Sequence, residues 1–248
     1  MRSMGRWLLW VLFAGLALQL FFVGRIALML VVDPQSTAFM RSEAWRVGHE
    51  SMTTDKTWRW SHQWVAGDQI SPNLKRAVIA SEDSVFSQHG GVWWESLEKA
   101  WEKNAKAKAV AEQRAQRRPD AKTPHVKIVG GSTITQQLAK NLFLSGERTL
   151  LRKGQEMLIT LTLETFLSKQ RILEIYLNSV EWGEGVFGAE AAAQHYFRKS
   201  AARLSDWEAA RLAVMLPRPR YFEQRAQSAY LASRAETIMA RMGDVVLP

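Results

Sequence analysis

Glu82 and Asp83 end a run in which Leu74, Ala77 and Val78, with Ser81, fall on one helical face. A carboxylate at such a helix end can serve as a general base if its surroundings are partly apolar, because desolvation raises its proton affinity. Neighbouring helical residues point in different directions, so the two carboxylates are not expected to share one task. Phe86, His89 and Gly90 follow. Further along, Gly130-Gly131 leads into Ser132-Thr133-Ile134-Thr135-Gln136-Gln137-Leu138-Ala139-Lys140-Asn141. Ser132, Gln136 and Lys140 share one helical stripe, and Thr133, Gln137 and Asn141 form the adjacent one. Surface helices usually carry Glu and Lys, so these polar stripes suit the wall of a cleft. The two glycines before the helix start resemble an anion-binding arrangement. Arg148, Arg152 and Glu156 repeat the four-residue spacing, with Lys153 beside them. Three clustered cations suit a diphosphate. Glu156 either pairs with Arg152 or faces the same cleft. Glu174 and Asn178 are again four apart, beside Tyr176. Core packing with one ion pair accounts for that segment without a function.

The elements that must position these residues are mostly helices. Ser71-Pro72 marks a helix start, an N-cap followed by a first-turn proline. Trp94, Leu97, Trp101 and Ala105 have helical spacing, and the chain is then expected to run into a mobile loop around Pro119–Pro124. Further helices are expected from near Ser132, over about Leu151–Leu167, over Gln170–Ser179 and from about Ala189 to Phe197. Gly183, Gly185 and Gly188 mark a loop between the last two. Ser205 and Glu208 form a capping-box pattern for a helix stopping before Pro217. A final helix covers about Ala226–Met242 and ends at Gly243. Alternating strand patterns do not stand out, and the chain lacks internal repeats.

The first part of the chain is of a different kind. Eighteen residues from Trp7 to Gly24 carry no formal charge. As a helix they span about 27 Å, close to the hydrocarbon core of a bilayer. The apolar stretch resumes after Arg25 and runs to Val32, longer than the core of a cleaved signal peptide. Arg2 and Arg6 precede the span and favour a cytoplasmic N-terminus. This divides the chain into a cytoplasmic tip and anchor at 1–32, a juxtamembrane segment at 33–70 and a folded domain at 71–248. Trp45, Trp58, Trp60 and Trp64 in the middle segment either sit at the membrane interface or pack on the domain.

The 248 residues carry 33 Lys+Arg against 24 Asp+Glu, a net charge of +9, and no cysteine. That excludes disulfides, thiol catalysis and cysteine metal sites. The excess charge points to anionic partners. Most of it lies between Lys99 and Lys127, where nine Lys/Arg meet three Asp/Glu. This basic segment, about 98–127, reads as a solvated helix face or as a flap near anionic headgroups. Export of the domain argues against nucleic acid as a partner.

Together the motifs resemble glycosyltransferase family 51, the peptidoglycan glycosyltransferases, in its monofunctional biosynthetic form. The resemblance rests on Glu82-Asp83-x-x-Phe86-x-x-His89-x-Gly91, on Gly131 to Asn141, on Arg152-Lys153-x-x-Glu156, and on Lys169-x-x-Ile172-Leu173-Glu174-x-Tyr176-Leu177-Asn178. The four follow in the family's order, within about Ile70 to Arg220. The resemblance implies a mainly α, lysozyme-like bilobal domain behind one transmembrane helix. It implies polymerisation of lipid II onto a growing lipid-linked glycan chain, with inversion at the anomeric carbon and release of undecaprenyl diphosphate. By the same resemblance Glu82 is the general base and Glu156 the second important carboxylate. Asp83, Phe86, His89, Ser132, Thr133, Gln136, Gln137, Lys140, Asn141, Arg148, Arg152, Lys153, Glu174 and Asn178 are the substrate-binding candidates. Some members use Mg2+ or Mn2+, for which Glu156 is the candidate ligand. Cell-wall synthesis or division proteins are the implied partners, and the inner membrane, with the domain in the periplasm, the implied location. The basic connection between the first two motifs is longer than the family leads one to expect.

A lytic muramidase-like enzyme on the same fold would need an acid to protonate a sugar leaving group, and has little use for a cationic cluster. A non-catalytic membrane scaffold would not need Glu82 together with those cations. Ser96-Leu97-Glu98-Lys99 matches the S-x-x-K of acyl-transfer enzymes, but K-T-G is absent from the sequence.

Overall fold

The computed structural model describes residues 2–55, 57–117, 131–144, 146–147 and 149–248. In chain order its helices and strands are α1 (Arg2–Leu28), α2 (Ala38–Thr53), β1 (Ser61–His62), α3 (Pro72–Glu82), α4 (Trp94–Arg117), α5 (Ile134–Phe143), α6 (Leu150–Phe166), α7 (Lys169–Ser179), β2 (Glu181–Gly183), β3 (Val186–Phe187), α8 (Ala189–Phe197), α9 (Asp206–Met215), α10 (Pro219–Glu223) and α11 (Ala229–Met242). Arg148 and the stretch around Pro119–Pro124 lie outside the described residues.

Local chemistry explains most helix starts. Ser71 Oγ accepts from Asn73 N at 3.2 Å, with Pro72 in the first turn of α3. Ser168 caps α7 in the same way, and Ser205 with Glu208 closes the capping box of α9. The last helix begins at Ala229 rather than Ala226, because Ser228 is its cap. α4 continues well past Ala105 to Arg117, and its Glu/Lys pairs four residues apart suit an exposed helix.

The helices form two packed groups. In one, α3 packs on α9 and α11. In the other, α5 packs on α2, α6 and α7. Leu74, Ala77 and Val78 of α3 are fully buried, as are Ile134, Leu138 and Ala139 of α5. A small sheet of order β1-β3-β2, β1 parallel and β2 antiparallel to β3, packs on α8 and α10. Its strands are two or three residues long, too short for any alternation to show, and this corrects the reading that found no strands.

The sheet draws segment 33–70 onto the rest of the chain. Ser61 N donates to Gly185 O at 2.7 Å, and Trp60 packs on Phe187 with centroids 4.8 Å apart. Trp64 also packs on the core, whereas Trp45 and Trp58 are exposed, so the packing reading holds for two of the four tryptophans. The apolar helix is engaged too. From Met4 to Leu28, α1 is long and apolar enough to cross a membrane, with a mean hydropathy of 2.1. Its C-terminal end packs against the domain: Phe22 meets Phe143 edge-on at 5.2 Å, and Ile26 is fully buried. Gln19 and Gln155 of α6 exchange hydrogen bonds of 2.7 and 3.1 Å. Arg171 then fastens the exit of the helix, donating to Met29 O at 2.9 Å and pairing with Asp33 at 2.7 Å.

Gly185 holds the sheet's turn at φ +69°, and a Cβ there would lie 2.0 Å from Arg59 O. Gly185→Ala is therefore expected to cost at least about 2 kcal/mol, through backbone strain and loss of the β1–β3 pairing. Thermal unfolding in detergent reads this directly, and an unchanged midpoint would refute it.

Candidate functional site

The end of α3 is tied to the start of α5 through Asp83. Its carboxylate is buried, accepts from Ile134 N at 3.1 Å, and meets His89 Nε2 at 2.9 and 3.0 Å. Thr133 caps α5, accepting from Gln136 N at 3.2 Å, while Gln136 Oε1 accepts from Thr133 N at 3.0 Å. Thr133 Oγ1 also donates to Gly91 O at 2.6 Å. The helix N-terminus expected to cradle an anion is thus occupied by Asp83 and a capping box. That corrects the glycine-cradle reading. Phe86 is fully buried, with Lys169 Nζ 4.5 Å from its ring centroid. Asp83, Phe86, His89, Thr133 and Gln136 thereby set how α3 meets α5.

This junction turns Glu82 toward Gln137. Gln137 Nε2 donates to Glu82 Oε2 at 2.9 Å, and Ser81 Oγ to Oε1 at 3.4 Å. Gln137 is itself oriented from behind, since Tyr176 OH donates to its Oε1 at 3.0 Å. Tyr176 is fully buried, and burial pushes its hydroxyl well above the usual phenol range, so it stays protonated and acts as a fixed donor. Gln137 must then turn its amide N–H, not its carbonyl, to the carboxylate. Burial raises the Glu82 pKa, the bonds from Gln137 and Ser81 oppose the shift, and the charge of Asp83 adds to it. A carboxylate held this way is a stronger proton acceptor than an exposed one. Tyr176 is not among the candidates read from the sequence, although it stands in the fourth motif. Neither that motif nor its spacing reveals a contact with Gln137, 39 positions away.

Two cavities meet here. One of about 470 Å3 is lined by Ser132, Gln136, Gln137, Lys140, Asn141, Arg152, Lys153 and Glu156. A smaller one of about 210 Å3 reaches Glu82, Asp83, Ser132 and Thr133. The polar stripes of α5 therefore do form a cleft wall, with Lys140 exposed on it. Glu156 is buried, accepts from Arg152 Nη1 at 2.9 Å and is bridged by Lys153. Both its oxygens are engaged by cations, so the carboxylate holds the cationic pair in place. That use leaves it poorly suited to a divalent ion. Among the described residues there is also no group of three or more His, Cys, Asp or Glu able to hold a metal. Arg152 Nε is buried without an acceptor, a costly state that a ligand oxygen near this pocket would relieve after a small shift.

Glu174 and Asn178 go elsewhere. Glu174 Oε1 accepts from Gly67 N at 3.0 Å and its other oxygen pairs with Arg171 at 3.0 Å. Asn178 binds Val65 through both N–H and C=O, at 3.0 and 2.9 Å. Both hold the loop at 65–67 against α7, and neither lines the described cavities.

The fold and this arrangement agree with the comparisons. The family model described as Transglycosylase matches residues 49–243, so the chain belongs to that family, whose domain is lysozyme-like. Among curated relatives, the protein named "Biosynthetic peptidoglycan transglycosylase" from Burkholderia thailandensis is 53% identical, covering 100% of this chain and 90% of its own length. The protein of that name from Burkholderia orbicola is 52% identical, over 99% of this chain and 94% of the relative.

Two outcomes follow from the Tyr176–Gln137–Glu82 relay. Because its folded pKa is raised, ionised Glu82 costs the fold stability at neutral pH. The cost disappears as pH falls from the folded pKa toward the ordinary value of 4.5. Glu82→Gln should therefore melt no lower than wild type at neutral pH, and any advantage should vanish near pH 4.5. Tyr176→Phe should slow turnover about tenfold, as for loss of one oriented hydrogen bond. It should also move the acidic limb of the pH–rate profile to higher pH, because the bond that lowers the Glu82 pKa is weakened. A fall in melting temperature without movement of that limb would leave Tyr176 a packing residue.

Proposed function

We propose that the chain is a peptidoglycan glycosyltransferase that polymerises lipid II. The observation carrying the proposal is one desolvated carboxylate, Glu82, bonded to Gln137 on the wall of a cleft that Lys140, Arg152 and Lys153 also line. In this reading Glu82 takes the proton from the acceptor sugar's 4-hydroxyl. That oxygen attacks the anomeric carbon of the lipid-linked chain from the face opposite the diphosphate, so the centre inverts. The bond from the anomeric carbon to the phosphate oxygen breaks, and the diphosphate leaves with the electron pair. An anionic leaving group needs cations rather than a proton donor. Lys140, Arg152 and Lys153 are the described candidates, with Ser132 as a hydrogen-bond donor. A hydrolytic enzyme would need a second, protonated carboxyl, and Glu156, held between two cations, does not fill that role.

The anchor fits the substrate. α1 packs along α6, whose Leu150 and Leu151 are 91% and 88% exposed. Together they offer an apolar surface beside the cationic cavity, so a lipid tail can stay in the bilayer while its diphosphate reaches Lys140 and Arg152. With Arg2 and Arg6 retained on the cytoplasmic side, the domain lies across the inner membrane in the periplasm.

The test is purified full-length protein with lipid II in detergent, beside Glu82→Gln. Wild type should give polymer that a muramidase degrades, and Glu82→Gln should lose at least about a hundredfold in rate while remaining folded. Wild-type activity in Glu82→Gln would remove the base assignment. Cleavage of finished glycan without polymerisation would favour the lytic reading.

A further inference from the structure

A second large cavity, of about 460 Å3, also opens onto Glu82 and shares only Pro217 with the cationic cavity described above. Three arginines line it: Arg218 just before α10, Arg225 just after it, and Arg234 on α11. Glu82 is the only carboxylate in the lining. Among the described residues, none of the three arginines forms an ion pair. Some arginines elsewhere are committed to carboxylates: Arg46, Arg59, Arg171 and Arg220 each hold one or more within 3.2 Å. Flat rings flank the unpaired group. Arg225 lies 4.1 Å over Tyr221, and Tyr230 is parallel to Phe222 at 5.9 Å. Exposed single arginines are ordinary, but three lining one cavity with aromatic faces, against the single carboxylate of Glu82, leave an excess of positive charge that suits a bidentate anion.

Position decides which anion. The cavity belongs to the group formed by α3, α9 and α11, whereas the membrane-crossing helix packs on α6 in the other group. The donor's diphosphate is assigned to Lys140, Arg152 and Lys153, and the acceptor's is drawn toward the bilayer by its own lipid tail. The acceptor's peptide carries no such tether, and its terminal carboxylate is the anion left free to reach the other side of Glu82. Building on the polymerase reading, we propose that Arg218, Arg225 and Arg234 form a subsite for the stem-peptide carboxylates of the glycan, with Tyr221 and Tyr230 as flat faces for its sugars or peptide. Its effect would be to hold the strand while the reacting sugar is aligned at Glu82.

The test uses two lipid II preparations, one native and one with its peptide carboxylates amidated, and two full-length proteins, wild type and Arg218→Gln/Arg225→Gln/Arg234→Gln. Wild type should favour native over amidated lipid II by about tenfold in kcat/KM, the scale of one or two charge-assisted hydrogen bonds. In the triple variant that preference should collapse to about one, with an unchanged melting temperature. A preference retained in the variant, or equal use of both substrates by wild type, overturns the proposal. An equal loss on both substrates would assign the arginines to the diphosphate or to folding instead. Calorimetric titration with the lipid-free, phosphate-free disaccharide-pentapeptide, native against amidated, reads the subsite without turnover. A wild type that binds the native form preferentially yet polymerises nothing would refute the catalytic reading and leave the subsite standing. No preference in binding would remove the subsite.

Discussion

The geometry of the site depends on one buried carboxylate, Asp83. Asp83 receives the first free backbone N–H of α5 and holds His89, and so joins the end of α3 to the start of α5. A buried carboxylate is tolerated only when its oxygens are satisfied, so the junction has little freedom. Since Glu82 is the preceding residue, its direction is set by the same contact. One turn along α5, Gln137 arrives opposite it. Releasing Asp83 would leave the Ile134 N–H without its acceptor and Glu82 unaimed.

The two carboxylates illustrate how environment divides chemically identical groups. Asp83 is surrounded by donors and serves architecture. Glu82 is poorer in donors, with Gln137 and Ser81 against a desolvating environment, and its proton affinity rises. Glu156 is a third case, buried but neutralised by Arg152 and Lys153. Its charge holds two cations at the cavity wall, where a departing anion would meet them. The fold thus places the desolvated carboxylate on α3 and the cation pair on α6.

Anchoring is built into the same body. α1 does not end in a free linker: Phe22, Ile26 and Met29 pack on the core, and Arg171 holds the chain as it leaves the helix. Segment 33–70 adds β1 to the sheet, and the Arg46 and Arg220 ion pairs clamp α2 onto the strand at Glu181 and its turn. These contacts fix the cleft relative to the apolar helix.

Much of this was legible in the residues alone. The polar stripes of α5, the Arg152–Glu156 spacing, the apolar helix and the capping box of α9 are local patterns, with partners within about one or two helical turns, and periodicity reveals them. What only the tertiary structure decided lies at long range. Thr133 met Gly91, Glu174 and Asn178 went to the loop at 65–67, and Tyr176 reached Gln137 across 39 positions of sequence. The strands escaped notice because two-residue segments carry no period and are defined by pairing between positions as distant as Ser61 and Val186. A stripe on a helix states which residues are neighbours. Which of them meets the ligand and which meets another part of the chain is set by the partner packed against it, and that partner is chosen by the fold.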